Sequence, residues 1–439
     1  MADTVDVQTE EQESPLDFIA RGGLLEGGVV PDPTQVDMDR FNLIHPELWR
    51  QEKYWDYFRW LRENSPVHYT KESMFGPYWS ITRYDDIVSI DTNHKQFSSD
   101  SKFGGITLVD QDEDFQLPMF IAMDEPKHSE QRKTVQPIVA PPALRDFEEL
   151  IRERTIRTLD SLPVGEPFDW VDRVSIELTG MMLATLFGFP QEERRKLTRW
   201  SDVATGRFNK EICPGGEEQW RTELLECLGR FNEIWQERAQ SEEPGQDLIS
   251  MLAHGEKTQN MDQMEYLGNL ILLIVGGNDT SRNTMTGSIY GWNKFPKEYE
   301  KVTADPSRIP DMVSEVIRWQ TPLAYMRRTA LEDVEFQGKT IKKGDKVVMW
   351  YASGNRDESV IENPNAIWID RPNVRRHLSF GFGIHRCVGN RLAEQQLRIL
   401  WEELLKRYEF VQVLEEPERL PNAFVKGYHR MNVVLHPKK

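Results

Sequence analysis

Cysteine is scarce: Cys213, Cys227 and Cys387 are the only three in 439 residues. Three thiols make no disulfide framework, which suits a reducing, cytoplasmic setting. Positive charge is short too. Against 72 Asp and Glu stand 54 Lys and Arg, a formal net charge of −18. A nucleic-acid binder needs a basic face to meet phosphates, so that class is excluded. Long apolar runs are missing. The strongest, Leu270 to Val275, falls far below the ~20 residues that span a bilayer. The acidic start, Met1 to Glu11, has neither a basic n-region nor an apolar core, so neither signal peptide nor membrane anchor is expected. No Gly-, Ser- or Pro-rich linker divides the middle. The length prior of ~150 residues per domain suggests about three domains. Without a linker, the expectation is a flexible acidic N-terminal arm over residues 1–45 and one large domain over 46–439.

What is present is apolar material for a sizeable core, 38% hydrophobic and 10% aromatic. Trp49 to Arg62 reads as an amphipathic helix. Val67–Tyr69 and Tyr78–Thr82 read as strands of a hairpin, and Asp85 as a cap for the helix running to Ile90. Residues 143 to about 240 read as helices broken at Gly188, Pro190, Gly206 and Pro214-Gly215-Gly216. Alternation after Pro322 predicts antiparallel strands, with a turn at Gly344-Asp345.

The stretch with the most chemistry is Phe380-Gly381-Phe382-Gly383-Ile384-His385-Arg386-Cys387-Val388-Gly389. Ala393, Leu397, Leu400 and Leu404 follow on one helical face, which places Cys387 at or just before a helix N-terminus. Orphan N–H groups and the positive end of the helix dipole then favour thiolate over thiol. Such a sulfur can be an anionic axial ligand to haem iron. Taken singly, a cysteine is more often a small buried hydrophobe. The ten-residue run as a whole resembles, without a gap, the haem-binding signature of the cytochrome P-450 superfamily of haem-thiolate monooxygenases.

The resemblance extends from about Tyr54 to the end, with four motifs in order. It implies a mainly α fold with a small β region, and haem b between a long distal helix and the cysteine loop. Asp124-Glu125-Pro126-Lys127-His128 with Arg132 matches the family segment whose His and Arg hold the haem propionates, so His128 and Arg132 take that role, joined by Arg328 and His385. Two such donors on one helical face would otherwise read as a solvated surface. Leu267 to Val275 makes a helix apolar nearly all round, followed by Gly276-Gly277-Asn278-Asp279-Thr280. Two mid-helix glycines cost about 1 kcal/mol each against alanine, so a reason is expected: close approach of something flat, or a local opening of the hydrogen-bond ladder. In the family the Thr hydroxyl steadies dioxygen and the Asp relays protons, which makes Thr280 and Asp279 the catalytic candidates. Glu315 and Arg318, three apart on a helix, can pair, most often at a surface; the resemblance makes them the family's buried pair, with Arg371 as third partner in a fold-stabilising network. Leu272, Val275, Gly276, Leu323 and Phe424 would line the pocket, and their lack of charge implies an apolar substrate.

Three longer runs, 274–280, 318–328 and 349–357, look like the bacterial soluble alkane terminal-hydroxylase branch. That resemblance implies ω-hydroxylation of medium-chain alkanes, fatty acids or related chains. A chain of 439 residues leaves no room for a fused reductase. A two-iron two-sulfur ferredoxin and its NADH-dependent reductase are therefore the implied electron source. Arg386, Arg391 and Arg398 would form a local basic patch for an acidic ferredoxin. The alternatives are a terpene or in-chain substrate, a peroxide-using enzyme, and a non-enzymatic haem sensor or carrier.

Overall fold

The computed structural model describes Leu24 and residues 28–438, apart from Met74 and Pro244. Of the expected flexible arm, residues 1–23 and 25–27 lie outside this range. The rest of it is packed, which corrects the expectation. Phe41 and Leu43 are fully buried, and Phe41 stacks on Tyr57 with centroids 4.3 Å apart. The Tyr57 hydroxyl donates to the Pro31 carbonyl at 2.7 Å. Pro and Gly punctuation there marks irregular backbone laid on a core, not a free chain.

The predicted helix over 49–62 is two pieces. Pro46–Arg50 is a short helix, and Glu52 at φ 55 breaks the run before α1 (Tyr54–Asn64). Stacking of Trp49 on Tyr54, at 4.2 Å, fixes the break. Then come β1 (Val67–Thr70), β2 (Tyr78–Ile81), α2 (Tyr84–Thr92) and β3 (Phe97–Ser98). Asp85 does not cap α2. The Tyr84 N–H donates instead to Asp357 Oδ2 at 2.8 Å, across the fold.

Lys127–Val135 forms α3 and Pro141–Asp160 forms α4. The helical zone breaks where the turn residues stand, into α5 (Glu177–Phe187), α6 (Arg194–Thr205) and α7 (Gly216–Ala239). Gly188, at φ 62, closes α5 in the left-handed region that glycine adopts without strain. The 32-residue α8 (Gln263–Lys294) starts on the Asp262 carboxylate, which accepts from the Met264 and Glu265 N–H groups. Leu267, Leu270, Ile271 and Ile274 are buried on it, each contributing about 1.5–3 kcal/mol, which outweighs the two glycines. The lid-side helices α5, α6 and α7 pack on α8, and α9 (Ile309–Gln320) supports it from another side.

Strands β4 (Met326–Ala330) and β5 (Lys346–Met349) complete a five-stranded sheet in the order β1-β2-β5-β4-β3. Its one parallel pairing joins β2 to β5, with Tyr78 opposite Lys346. A separate hairpin, Val334–Phe336 with Lys339–Ile341, stands beside it. The α10 helix (Asn390–Arg407) packs on α4 and α9. Among the described residues, no helix is long and apolar enough to cross a membrane.

Candidate active site

A cavity of about 710 Å³ lies between α8 and the cysteine loop. The loop is shaped by glycine where it must be. Gly381 and Gly383 have φ of 64 and 66, and a Cβ on Gly383 would meet the Asp91 carbonyl at 2.7 Å. The Cys387 N–H donates to the Phe380 carbonyl at 2.8 Å, and α10 begins three residues later. The sulfur faces the cavity, so its exposure is to that space rather than to bulk water. Burial nevertheless pushes its thiol above the ordinary range. The N–H groups of Gly389 and Asn390 and the guanidinium groups of Arg132 and Arg386 oppose that shift without overcoming it. The helix terminus thus favours thiolate, as expected, but burial wins until a cation sits at the sulfur.

Around the same end stand His128, Arg132, Arg328 and His385. The Arg132 guanidinium has no hydrogen bond or ion pair among the described residues; burial lowers its pKa and the nearby Cys387 sulfur raises it. His385 is buried with both ring nitrogens unpartnered, its imidazole held far below the usual range by burial and by Arg328, His128 and Arg132. Its ring lies 4.1 Å from that of His128. The His128 nitrogens are already engaged, Nδ1 2.7 Å from the Phe120 carbonyl and Nε2 3.0 Å from that of Ile384. Arg328 donates to Asp91 at 2.7 Å. Asp91 in turn accepts from the Tyr351 hydroxyl and the Phe382 N–H, so one carboxylate ties the arginine to the cysteine loop. Sequence reasoning missed Asp91. Its one local hint was an acid in the last turn of a helix, against the dipole.

A thiol sulfur, an unpaired guanidinium and an orphaned imidazole facing an apolar void fit a flat apolar ring that carries a metal and two carboxylates, as haem b does. The two α8 glycines support this differently. A Cβ on Gly276 would meet nothing within 4 Å, because it faces the cavity, whereas one on Gly277 would sit 2.7 Å from Leu183 of α5. The helix runs through both, and the Thr280 hydroxyl donates to the Gly276 carbonyl at 2.8 Å.

Thr280, Gly276, Leu272, Val275, Leu323 and Phe424 all line the cavity. Asp279 does not; it is buried behind them. Its Oδ1 accepts from Asn278 at 2.8 Å and from Arg282 at 2.9 Å, while Oδ2 has no partner. Burial raises its carboxyl to about 6, with Arg282 pulling the other way. Arg282 also reaches Asp202 of α6 at 2.8 Å, a connection that no sequence spacing announced. Glu315 is bonded by Arg318 at 2.8 and 2.9 Å and by Arg371 at 3.0 and 3.1 Å, away from the cavity. The expected basic patch needs correction. Arg398 is neutralised by Glu402 and Glu148. Arg386 and Arg391 are exposed and unpaired among the described residues, as are Arg145 and Arg375, and three of these four line a shallow groove on that face.

A family model described as Cytochrome P450 matches residues 221–438. The chain is 34% identical to a linalool 8-monooxygenase from Pseudomonas putida, over 91% of this chain and all of that one. It is 30% identical to a methyl-branched lipid omega-hydroxylase from Mycobacterium bovis, over 81% of this chain and 83% of that one. The solved structure of CYP153D17 from Sphingomonas sp. PAMC 26605 superposes with a TM-score of 0.85 at 50% identity, covering 91% of this chain and 100% of that one.

Proposed function

Because the chain belongs to the cytochrome P450 family of monooxygenases, we propose that it hydroxylates the terminal methyl of medium-chain alkanes, fatty acids or related chains. The observation that carries this reading is where the cavity places its charge. Arg132, Arg328, His128 and His385 line it together with Cys387, and Arg50, Asp110, Arg207, Lys210 and Glu211 add a second charged set, in which Arg50 pairs with Glu211 and Asp110 with Arg327 and Lys346. Leu272, Val275, Leu323 and Phe424 add apolar wall to the same cavity. A chain without polar groups along its middle suits that lining. The name of the omega-hydroxylase relative agrees with it.

Bound haem b would supply the iron at which O2 is activated with two electrons, so that one oxygen atom enters a C–H bond and the other leaves as water. Cys387 would hold its iron through the sulfur, and Arg132, Arg328, His385 and His128 would hold its carboxylates. The protein's own tasks are position, protons and dryness. A terminal C–H is stronger than its methylene neighbours, so end attack requires the wall to admit only the chain end. One wall is braced for that: the Ala324 N–H donates to the Phe424 carbonyl at 3.0 Å, and Leu323 bridges to Val425. Thr280 presents its hydroxyl to the cavity. Asp279, with a carboxyl near 6, is a proton reservoir behind it, linked through Arg282 and Asp202 toward the lid. The apolar lining keeps bulk water out.

For electrons we infer a two-iron two-sulfur ferredoxin and its NADH-dependent reductase, docking where Arg145, Arg375, Arg386 and Arg391 lie exposed and, among the described residues, unpaired. The cytoplasm fits such soluble donors. The experiment is turnover of octane, dodecane and dodecanoic acid with ferredoxin and reductase, followed by product analysis. Terminal alcohols are the expected result; alcohols confined to in-chain positions would overturn the reading. The linalool relative favours a second reading, oxidation of a terpene. It would show as turnover of linalool and none of the straight chains.

A further inference from the structure

Strand β4 carries two adjacent arginines on opposite faces. Arg328 points to the cavity and Asp91. Arg327 points away, toward the irregular segment 103–110, whose Ile106, Thr107 and Val109 line the cavity. Its guanidinium is 2% exposed and is spent almost wholly on that segment. Nη2 donates to the Phe103 carbonyl at 2.9 Å, and Nη1 to the Thr107 carbonyl at 3.2 Å and to Asp110 Oδ1 at 2.6 Å. The Arg327 main-chain N–H adds a bond to the Ile106 carbonyl at 2.8 Å, and Thr329 Oγ1 donates to the Phe103 carbonyl at 2.9 Å. Lys346 of β5 holds the other Asp110 oxygen at 2.5 Å. Gly104 completes the fit. It has φ 103, and a Cβ there would lie 2.7 Å from the guanidinium carbon.

We propose that Arg327 is a positioning residue for substrate selectivity: it hangs the 103–110 segment at a fixed depth, and so sets how far a chain can enter and which carbon it presents. The proposal rests on reading the cavity as a substrate site. A segment with almost no regular structure of its own has few alternatives for order. Planar guanidinium donors aimed at two carbonyls and a carboxylate provide it in a way that lysine's point charge does not. Among the described residues the Arg327 side chain bonds neither the cysteine loop nor Asp91; its carbonyl accepts from Arg328 Nη1 at 2.8 Å, a main-chain bond that substitution leaves in place, so the side chain's effect is separable from the cofactor side.

The test compares Arg327→Met, Arg327→Lys, Asp110→Asn and Gly104→Ala with the parent protein, all haem-loaded and checked by their carbon monoxide spectra. Kd for dodecanoic acid and octane is read from the substrate-induced Soret shift, and products are mapped by position. For Arg327→Met and Gly104→Ala we expect KM and Kd to rise about tenfold with kcat changed by less than about twofold, the split expected when ground-state placement is lost. Product positions should spread to neighbouring carbons. Asp110→Asn should fall between these and the parent, and Arg327→Lys should rescue only part. Gly104→Ala displaces the guanidinium without removing it, so it decides the matter if Arg327→Met does not fold. Spectrally normal variants with unchanged Kd and product positions would overturn the proposal. So would loss of the carbon monoxide spectrum in every variant, which would make Arg327 a fold residue. If the parent itself makes no terminal alcohol, the chain-end reading falls, while a variant-dependent shift among whatever products form still upholds the role of Arg327.

Discussion

Two ion pairs toward the cysteine-loop half of the molecule, one at the cavity and one behind it, are held out of water. Arg328 and Asp91 are 3% and 1% exposed, and Arg318 and Glu315 are fully buried. On the lid side, Arg207 and Arg221 meet Asp112, Asp114 and Glu217 through side chains between 17% and 72% exposed. The chemistry of the pairs is the same; their surroundings are not. A buried pair that loses one partner leaves an uncompensated charge, at about 3–5 kcal/mol. A wet pair is screened by salt and contributes about 0–1 kcal/mol. The cysteine side is thus built to hold one geometry, and the lid side to be released at small cost.

The largest effect should come from breaking the buried side. Glu315→Ala strands Arg318 and Arg371, and a loss of about 3–5 kcal/mol would show as insoluble protein or a steep fall in denaturation midpoint. A variant as stable as the parent would break the contrast. Next comes Asp279→Asn. Because burial raises this carboxyl to about 6, its proton is available below that pH and lost above it, so parent turnover should fall as pH rises through about 6. The variant should be slower by about 100-fold and lose that dependence. An unchanged pH profile would remove Asp279 from proton supply.

A third test sharpens the buried side with its exception. Lys426 is 8% exposed and in no ion pair among the described residues; burial holds its ammonium down at about 7, with Glu52 raising it and Arg356 and Arg419 lowering it. The fold disfavours the charged form, so the lysine's contribution improves with pH from about 7 toward its ordinary 10.5. Lys426→Met should therefore raise Tm at pH 7 by a few degrees, and by less at pH 10. The smallest effect belongs to the lid. Arg221→Gln should leave the denaturation midpoint nearly unchanged yet speed substrate exchange in stopped flow, as high salt should in the parent. A large loss of stability would mean that the lid pairs are structural after all.

The sequence showed the two sides unequally, for physical reasons. The cysteine loop was legible because glycines at positive φ and a lone thiol before a helix leave marks at fixed spacing. Helical periodicity showed where Thr280, Glu315 and Arg318 stand, but the family resemblance was what gave them their roles. Asp91, Asp202 and Asp357 were not legible, because each acts on a partner more than 75 residues away, and a carboxylate on a helix, as Asp91 and Asp202 are, reads as solvated surface. The packed stretch around Phe41 was hidden for a related reason. Its order comes from Tyr57 and Trp49, not from any period of its own. Arg398 was over-read, since charge counted along a helix does not show Glu148 reaching across from α4.

The two adjacent arginines of β4 have one more consequence. Neighbours along a strand look to opposite sides, so a deletion or insertion of one residue there would exchange their duties rather than weaken them. The arm that grips the loop would turn inward and its neighbour outward, at a stroke. Libraries that vary the loop at fixed length should therefore yield working catalysts, whereas indels in Met326–Ala330 should yield none.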